Sequence, residues 1–199
     1  SPIQRRPPAL VPRMNPMTLL DRLPSRWRST VLRIGFNLFP AFRGTGGRLL
    51  WVARDLLSME AELRFNWRTR NANGSLYGGS LFAVTDGPHP IMLLHALGPQ
   101  HVVVWDKAAS IRYRRPATQH LRARFEVPQS LLEEIQHRLR AEEAIEHIFT
   151  IDLVGADQQV YATVERTIYI ATRDYERRRR NPHEPAMAST VPEGHTGRS

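Results

Sequence analysis

Asn71-Ala-Asn-Gly-Ser-Leu-Tyr-Gly-Gly-Ser-Leu-Phe-Ala-Val-Thr-Asp86, running on through Gly87-Pro88-His89-Pro90 to Leu97-Gly98, is the stretch that decides the fold. It begins polar, passes the pair Gly78-Gly79 and turns apolar, with one carboxylate, Asp86, inside the apolar run. Two glycines ahead of a helix let the backbone approach a ligand closely. The first N–H groups of that helix have no intrahelical acceptor, and its positive end suits an oxyanion or a phosphate. The pattern predicts a long central helix after Gly79, with Pro88 and Pro90 predicted to kink or break it.

Around that stretch the chain alternates with a period of two. Residues 60–68 put Ala61, Leu63, Phe65 and Trp67 opposite Glu60, Glu62, Arg64 and Arg68. Residues 102–115 put Val103, Trp105, Ala109, Ile111 and Tyr113 on one face, and 121–127 set Leu121, Ala123, Phe125 and Val127 against Arg122, Arg124 and Glu126. Two further strands, 145–154 and 159–171, are joined by a turn at Gly155-Ala-Asp157. Such alternation means one buried and one wet face, the mark of an antiparallel sheet. Ser130-Leu-Leu-Glu133 reads as a capping box opening a short helix with Leu132, Ile135 and Leu139 along one side. One helix must then cover the apolar face of about five curled antiparallel strands, which is an α+β domain.

The charge sits at the ends. The 199-residue chain carries +9, but residues 1–48 hold nine Arg and one Asp, while 49–172 hold 13 basic and 14 acidic side chains. A core so close to neutral argues against nucleic acid as its partner. Four segments are expected: 1–24 flexible and Pro/Arg-rich, 25–48 an amphipathic helix and turn, 49–172 the domain, and 173–199 a disordered basic tail. The helix is expected from Ser25 as cap to about Phe39, with Trp27, Val31, Ile34 and Leu38 along one face and Gly35 weakening its middle. That face packs on its own domain or a sister subunit; the alternative is an anionic membrane surface. Gly44-Thr-Gly-Gly47 lacks the Lys-Ser/Thr ending of a phosphate loop and reads as a turn.

The chain has no cysteine, so disulfides, thiolate metal sites and a thiol nucleophile are excluded. His89 and His95 stand six apart, not at the i,i+4 spacing of a zinc helix, and no metal is expected. No run approaches the ~20 apolar residues of a membrane span, nor does residue 1 onward carry the apolar core of a secretory signal. The expected location is the cytoplasm.

A helix wrapped by a curled antiparallel sheet in this order resembles the hotdog fold. Asn71, Gly78-Gly79 and Asp86 resemble the phenylacetyl-CoA-type thioesterases, which carry Asn, a His-Gly-Gly triplet and a helix Asp. Closer still is the resemblance to a branch of that superfamily described as tetrameric acyl-CoA thioesterases. It rests on Tyr77-Gly-Gly-Ser-Leu81, Thr85-Asp86, Leu97-Gly98, Val104-Trp-Asp-Lys107 and Ile111-Arg-Tyr-Arg-Arg-Pro116, over roughly 37–172. The resemblance implies hydrolysis of an acyl thioester at a site between protomers of a homodimer or homotetramer. No cofactor is implied beyond the coenzyme A of an acyl-CoA substrate. Asp86 would be nucleophile or general base, Asn71 would position water or thioester, and the Gly79 N–H would meet the carbonyl oxygen as it becomes an oxyanion. Tyr77, Gly78 and Ser80 would line the substrate; Tyr77 stands where the phenylacetyl-CoA type has His. A carboxylate among apolar neighbours is expected to have a raised pKa, which suits a base.

Each residue carries a plainer reading as well. Asp86 followed by Gly-Pro is also ordinary helix-terminating turn chemistry, and Asn71 is an ordinary turn residue. Gly78 and Gly79 also serve close helix–sheet packing. Lys107, the only lysine, shares parity with Trp105 and Ala109; it lines the site, or snorkels, or pairs with Asp86 or Asp106. Arg112, Arg114 and Arg115 hold coenzyme A phosphates or form a solvated strand face. Trp51, Trp67 and Trp105 read as core. Two further functions stand beside hydrolysis: a non-catalytic hotdog protein binding acyl-CoA or another small acyl ligand, and a nucleic-acid or membrane adaptor working through the Arg-rich ends.

Overall fold

The computed structural model describes Leu20 and residues 22–180. Of the segment 1–24 expected to be flexible, all but Leu20 and residues 22–24 lies outside the described residues, as does the part of the basic tail beyond Arg180. Helix α1 spans Ser25–Leu38 and α2 Pro40–Gly44. Strands β1 (Gly47–Val52) and β2 (Ser58–Leu63) follow, then α3 (Gly78–Ala83) and α4 (Pro88–Leu97). After them come β3 (Val102–Tyr113), β4 (Leu121–Glu126), α5 (Gln129–Glu142), β5 (Ala144–Gly155), β6 (Val160–Thr172) and α6 (Arg173–Arg180).

The described strands form one antiparallel sheet of six, ordered β1-β2-β4-β5-β6-β3. The sixth is β1, which follows the turn at Thr45-Gly46 and has Leu49 and Val52 buried. Helix α1 closes its edge: the Asn37 carboxamide donates to the Leu49 carbonyl at 3.0 Å and accepts from the Leu49 N–H at 2.7 Å.

The central helix is two helices. Gly87 at φ 100° separates them, a conformation open to glycine and costly for a residue with Cβ. Pro88 then starts α4, where its missing N–H removes nothing. The predicted break at the prolines is thus real. Met92 and Leu93 of α4 are fully buried with Phe125, Leu153, Ile168 and Ile170 from the sheet. Strands β4 and β5 pair only from Leu121 to Ala123, then part. His89 fills the parting, stacked on Phe149 at 3.9 Å and edge-on to Phe125 at 5.4 Å.

Several local expectations change. Pro24, not Ser25, stands at the N-cap of α1, and Pro128 at that of α5; neither has a side-chain cap, so the Ser130–Glu133 box does not form. Proline sets the extended entry to each helix instead. Strand β2 ends at Leu63, leaving Trp67 exposed under the Arg68 guanidinium. Trp51 is exposed as well.

The apolar face read from α1 points the other way. Trp27, Val31, Ile34 and Leu38 are exposed, while Leu32 and Phe36 pack inward. Arg177–Arg180 belong to a helix, not to a disordered tail. Helix α6 docks through buried Glu176, which accepts from the Tyr169 hydroxyl at 2.8 Å and pairs with Arg179 at 3.0 Å.

Candidate functional site

The loop ahead of α3 is held by its own polar groups. Asn71 Oδ1 accepts from the N–H groups of Asn73 (3.0 Å) and Ser75 (3.1 Å), and its Nδ2 donates to Ser75 Oγ at 3.1 Å. These bonds are those of a turn residue. Tyr77 is the N-cap of α3 in extended conformation, with Gly78, Gly79 and buried Ser80 as the first turn.

The glycine pair is explained by two tyrosines. A Cβ on Gly79 would lie 2.4 Å from Tyr77 Cε1, and one on Gly78 would lie 2.9 Å from the Tyr113 hydroxyl. That hydroxyl donates to the Gly78 carbonyl at 3.1 Å. Both rings stand exposed beside the start of the helix.

Asp86 follows the end of α3, its N–H bonded to the Ala83 carbonyl at 3.1 Å. It is not enclosed among apolar side chains as the sequence suggests: its side chain is 64% exposed. A cation that the sequence reading passed over anchors this segment. Arg166 of β6, its side chain 3% exposed, donates to Thr85 Oγ1 and to the Phe82 carbonyl, each at 2.9 Å. Its Nη1 lies 3.7 Å from Asp86 Oδ1 and 3.3 Å from Asp106 Oδ1, the latter without hydrogen-bond geometry. A guanidinium at the C-terminal end of a helix satisfies free carbonyls and suits the negative end of the dipole. Burial pushes the Asp106 carboxyl above its ordinary value; Arg166 opposes the rise, and the nearby Asp86 charge adds to it.

Asp106 reaches this cluster because β3 changes parity. A bulge at Lys107 separates the pair Asp106↔Ile168 from Ala108↔Thr167. Before it the even residues Val104 and Asp106 oppose core residues Ile170 and Ile168; after it the odd residues Ala109 and Ile111 oppose Arg166 and Val164. Trp105 therefore leaves the core face and packs on Tyr169 at 4.4 Å. Lys107 is an exposed bulge residue, ion-paired with Glu146, not with Asp86 or Asp106. Arg112 and Arg114 are exposed on the same strand and its exit, with Arg114 Nε donating to Thr163 Oγ1 at 3.0 Å.

His89 is buried and neutral at ordinary pH. Desolvation lowers its pKa to about 3 against the contrary pull of a hydrogen bond to the Glu126 backbone, and Nδ1 has no hydrogen-bond partner. Among the described residues no three His, Asp or Glu side chains converge as a metal site requires. No described helix is long and apolar enough to cross a membrane.

Asp86 also stands in the lining of an apolar groove of about 1000 Å³ between α1–α2 and the α3–α4 junction, where Leu32, Phe36, Phe42 and Ile91 form the walls.

Residues 28–170 match the family described as Domain of unknown function (DUF4442). No curated protein matches. Among solved structures, a Pseudomonas aeruginosa protein of unknown function described as a probable thioesterase is 18% identical, with TM-score 0.66 over 75% of this chain and 97% of that one. A thioesterase of Haemophilus influenzae is 14% identical, with TM-score 0.53 over 71% and 88%. The E. coli PaaI protein from the phenylacetic acid degradation operon is 15% identical, with TM-score 0.50 over 73% and 92%. The shared architecture is the hotdog fold that the sequence pattern resembles.

Proposed function

The chain belongs to the DUF4442 family, and from that premise we propose that it hydrolyses an acyl thioester, an acyl-CoA in the first instance, at Asp86. The observation that carries this reading is the placement of Asp86. An accessible carboxylate stands at an apolar groove, fixed at the end of α3 by buried Arg166. As a general base Asp86 takes a proton from water while the water oxygen adds to the thioester carbonyl. The tetrahedral intermediate then collapses, the C–S bond breaks, and the thiolate leaves and is protonated. As a nucleophile the same carboxylate would form an anhydride that water opens.

Gly79 N–H, in the first turn of α3, is the proposed donor to the oxyanion, where a helix leaves its N–H groups without an intrahelical acceptor. Tyr77, Gly78 and Ser80 flank that point. Arg112 and Arg114 are proposed to meet the phosphates of coenzyme A, in a homodimer or tetramer whose second protomer completes the site. Asn71 supports a structural part better: its carboxamide is engaged within its own loop. Lys107 is engaged with Glu146. No cofactor is proposed.

The test is thiol release from short-chain, long-chain and aryl CoA esters, wild type beside Asp86→Asn. A chain with no cysteine leaves a thiol dye to read product alone. Expected is turnover in wild type and a loss of about 100-fold or more in the variant. Turnover untouched by the substitution removes Asp86 from the chemistry. Ligand binding with no turnover of any ester turns the reading to a binding protein.

A further inference from the structure

Gly35 stands inside α1, at the start of its last turn, where the Phe39 N–H bonds to its carbonyl at 2.9 Å, and no neighbouring atom requires a glycine there. Glycine weakens a helix interior relative to alanine. Gly35 has no positive φ, and apart from its own helix and chain neighbours no atom lies within 4 Å of where its Cβ would be. The open space beside it is the apolar groove that also meets Asp86.

We infer that this groove receives a long aliphatic acyl chain, so that the substrate is a long-chain acyl thioester; this rests on the hydrolase reading of Asp86. The walls are apolar, and Asp86 is the charged residue among the lining side chains. The volume, about 1000 Å³, is at the upper end of the roughly 300–1,000 Å³ of small-molecule sites. Val31 and Phe39 belong to the lining and are themselves exposed, so the groove opens to the surface. None of the arginines of α1 and α2 lines the groove, so its complementarity is to the apolar tail alone, with the thioester at Asp86 and the coenzyme A moiety outside. Absence of a side chain at position 35 keeps the channel wide enough for the chain to pass.

Two readouts test this on the 199-residue chain. The first is turnover across a series of saturated acyl-CoAs from four to sixteen carbons. The second is binding of a fluorescent long-chain fatty acid, cis-parinaric acid, which needs no chemistry. Each is made on wild type, Gly35→Ala and Gly35→Phe, with thermal melts to establish folding. If Gly35→Phe does not fold, Ile91→Trp fills the groove from the opposite wall.

Expected in wild type is a KM that falls about fourfold per added methylene until the groove is full. Gly35→Phe should lower the ratio of long- to short-chain turnover at least tenfold and weaken fatty-acid binding by a similar factor, with Gly35→Ala between. Turnover without chain-length preference, and indifferent to a folded Gly35→Phe, overturns the inference and leaves the hydrolase standing. Fatty-acid binding sensitive to position 35 with no turnover of any ester upholds the groove and discards the hydrolysis. Absence of fatty-acid binding, with sedimentation on anionic vesicles instead, gives this face to a lipid surface and overturns the inference.

Discussion

Arg166 Nη1 stands 3.7 Å from Asp86 Oδ1, joining a buried cation of β6 to an exposed carboxylate at a break between two helices. The same guanidinium holds Thr85 and the Phe82 carbonyl, so the position of Asp86 is set by β6 as much as by its own helix.

Replacing Arg166 by Met should therefore be costly. Removal of one partner leaves Asp106 half-buried without its counter-charge and the Phe82 carbonyl without a donor. Breaking a buried pair costs about 3–5 kcal/mol. Urea unfolding should show that loss, and Arg166→Met combined with Asp106→Leu should recover part of it, because the stranded charge is gone. A single variant as stable as wild type would mean the cluster is not a coupled unit.

His89 should make the protein acid-sensitive. Its folded-state pKa is lowered to about 3, chiefly by burial. As pH falls, the unfolded chain binds this proton near 6.5 and the folded chain only near 3, so the contribution is whole above 6.5 and is lost between those values. The slope approaches about 1.4 kcal/mol per pH unit. Asp106, raised by burial, slopes the other way: its contribution is present at low pH and lost as pH rises through its folded value. Arg166 and His147 are the charges that face His89. Denaturant midpoints at pH 7 and pH 5 should converge in His89→Phe and diverge in wild type; equal divergence in both would assign the acid loss to other groups.

Lys107→Met should change little. The Lys107–Glu146 pair is exposed, and such pairs contribute about 0–1 kcal/mol. Thermal midpoint and thioester turnover should both stay near wild type. A large loss of turnover would return Lys107 to the site from which its bulge position removes it.

Glu176→Ala should release α6. The carboxylate takes the Tyr169 hydroxyl and pairs with Arg179 and Arg180. Tyr169 is pushed up to about 12, first by burial and then by Glu176, so its phenol should titrate at lower pH in the variant. Ultraviolet titration reads this directly, and amide exchange in 173–180 should speed up. Unchanged values in both would show that other contacts dock the helix.

Much of this was legible in the chain because it is local. Period-two alternation gave five of the six strands, missing β1, and Gly87-Pro88 marked the break in the central helix, since each depends on the residue's own backbone and its near neighbours. Even Arg166 could have been found: Ala162, Val164, Arg166, Ile168 and Ile170 share one parity, and a charge on a core face requires a partner. What the chain did not carry is set between distant segments. The bulge at Lys107 is a property of β3 against β6, and it reverses which side chains of β3 face inward. The burial of Leu32 and Phe36 in place of the Trp27–Leu38 face depends on where β1 lies beneath α1. The meeting of Asp86, Asp106 and Arg166 joins three elements whose local sequences hold no trace of one another. Backbone preference is read residue by residue, but the register and packing that assemble a site are decided by contacts between segments far apart in sequence, and only the folded chain selects among them.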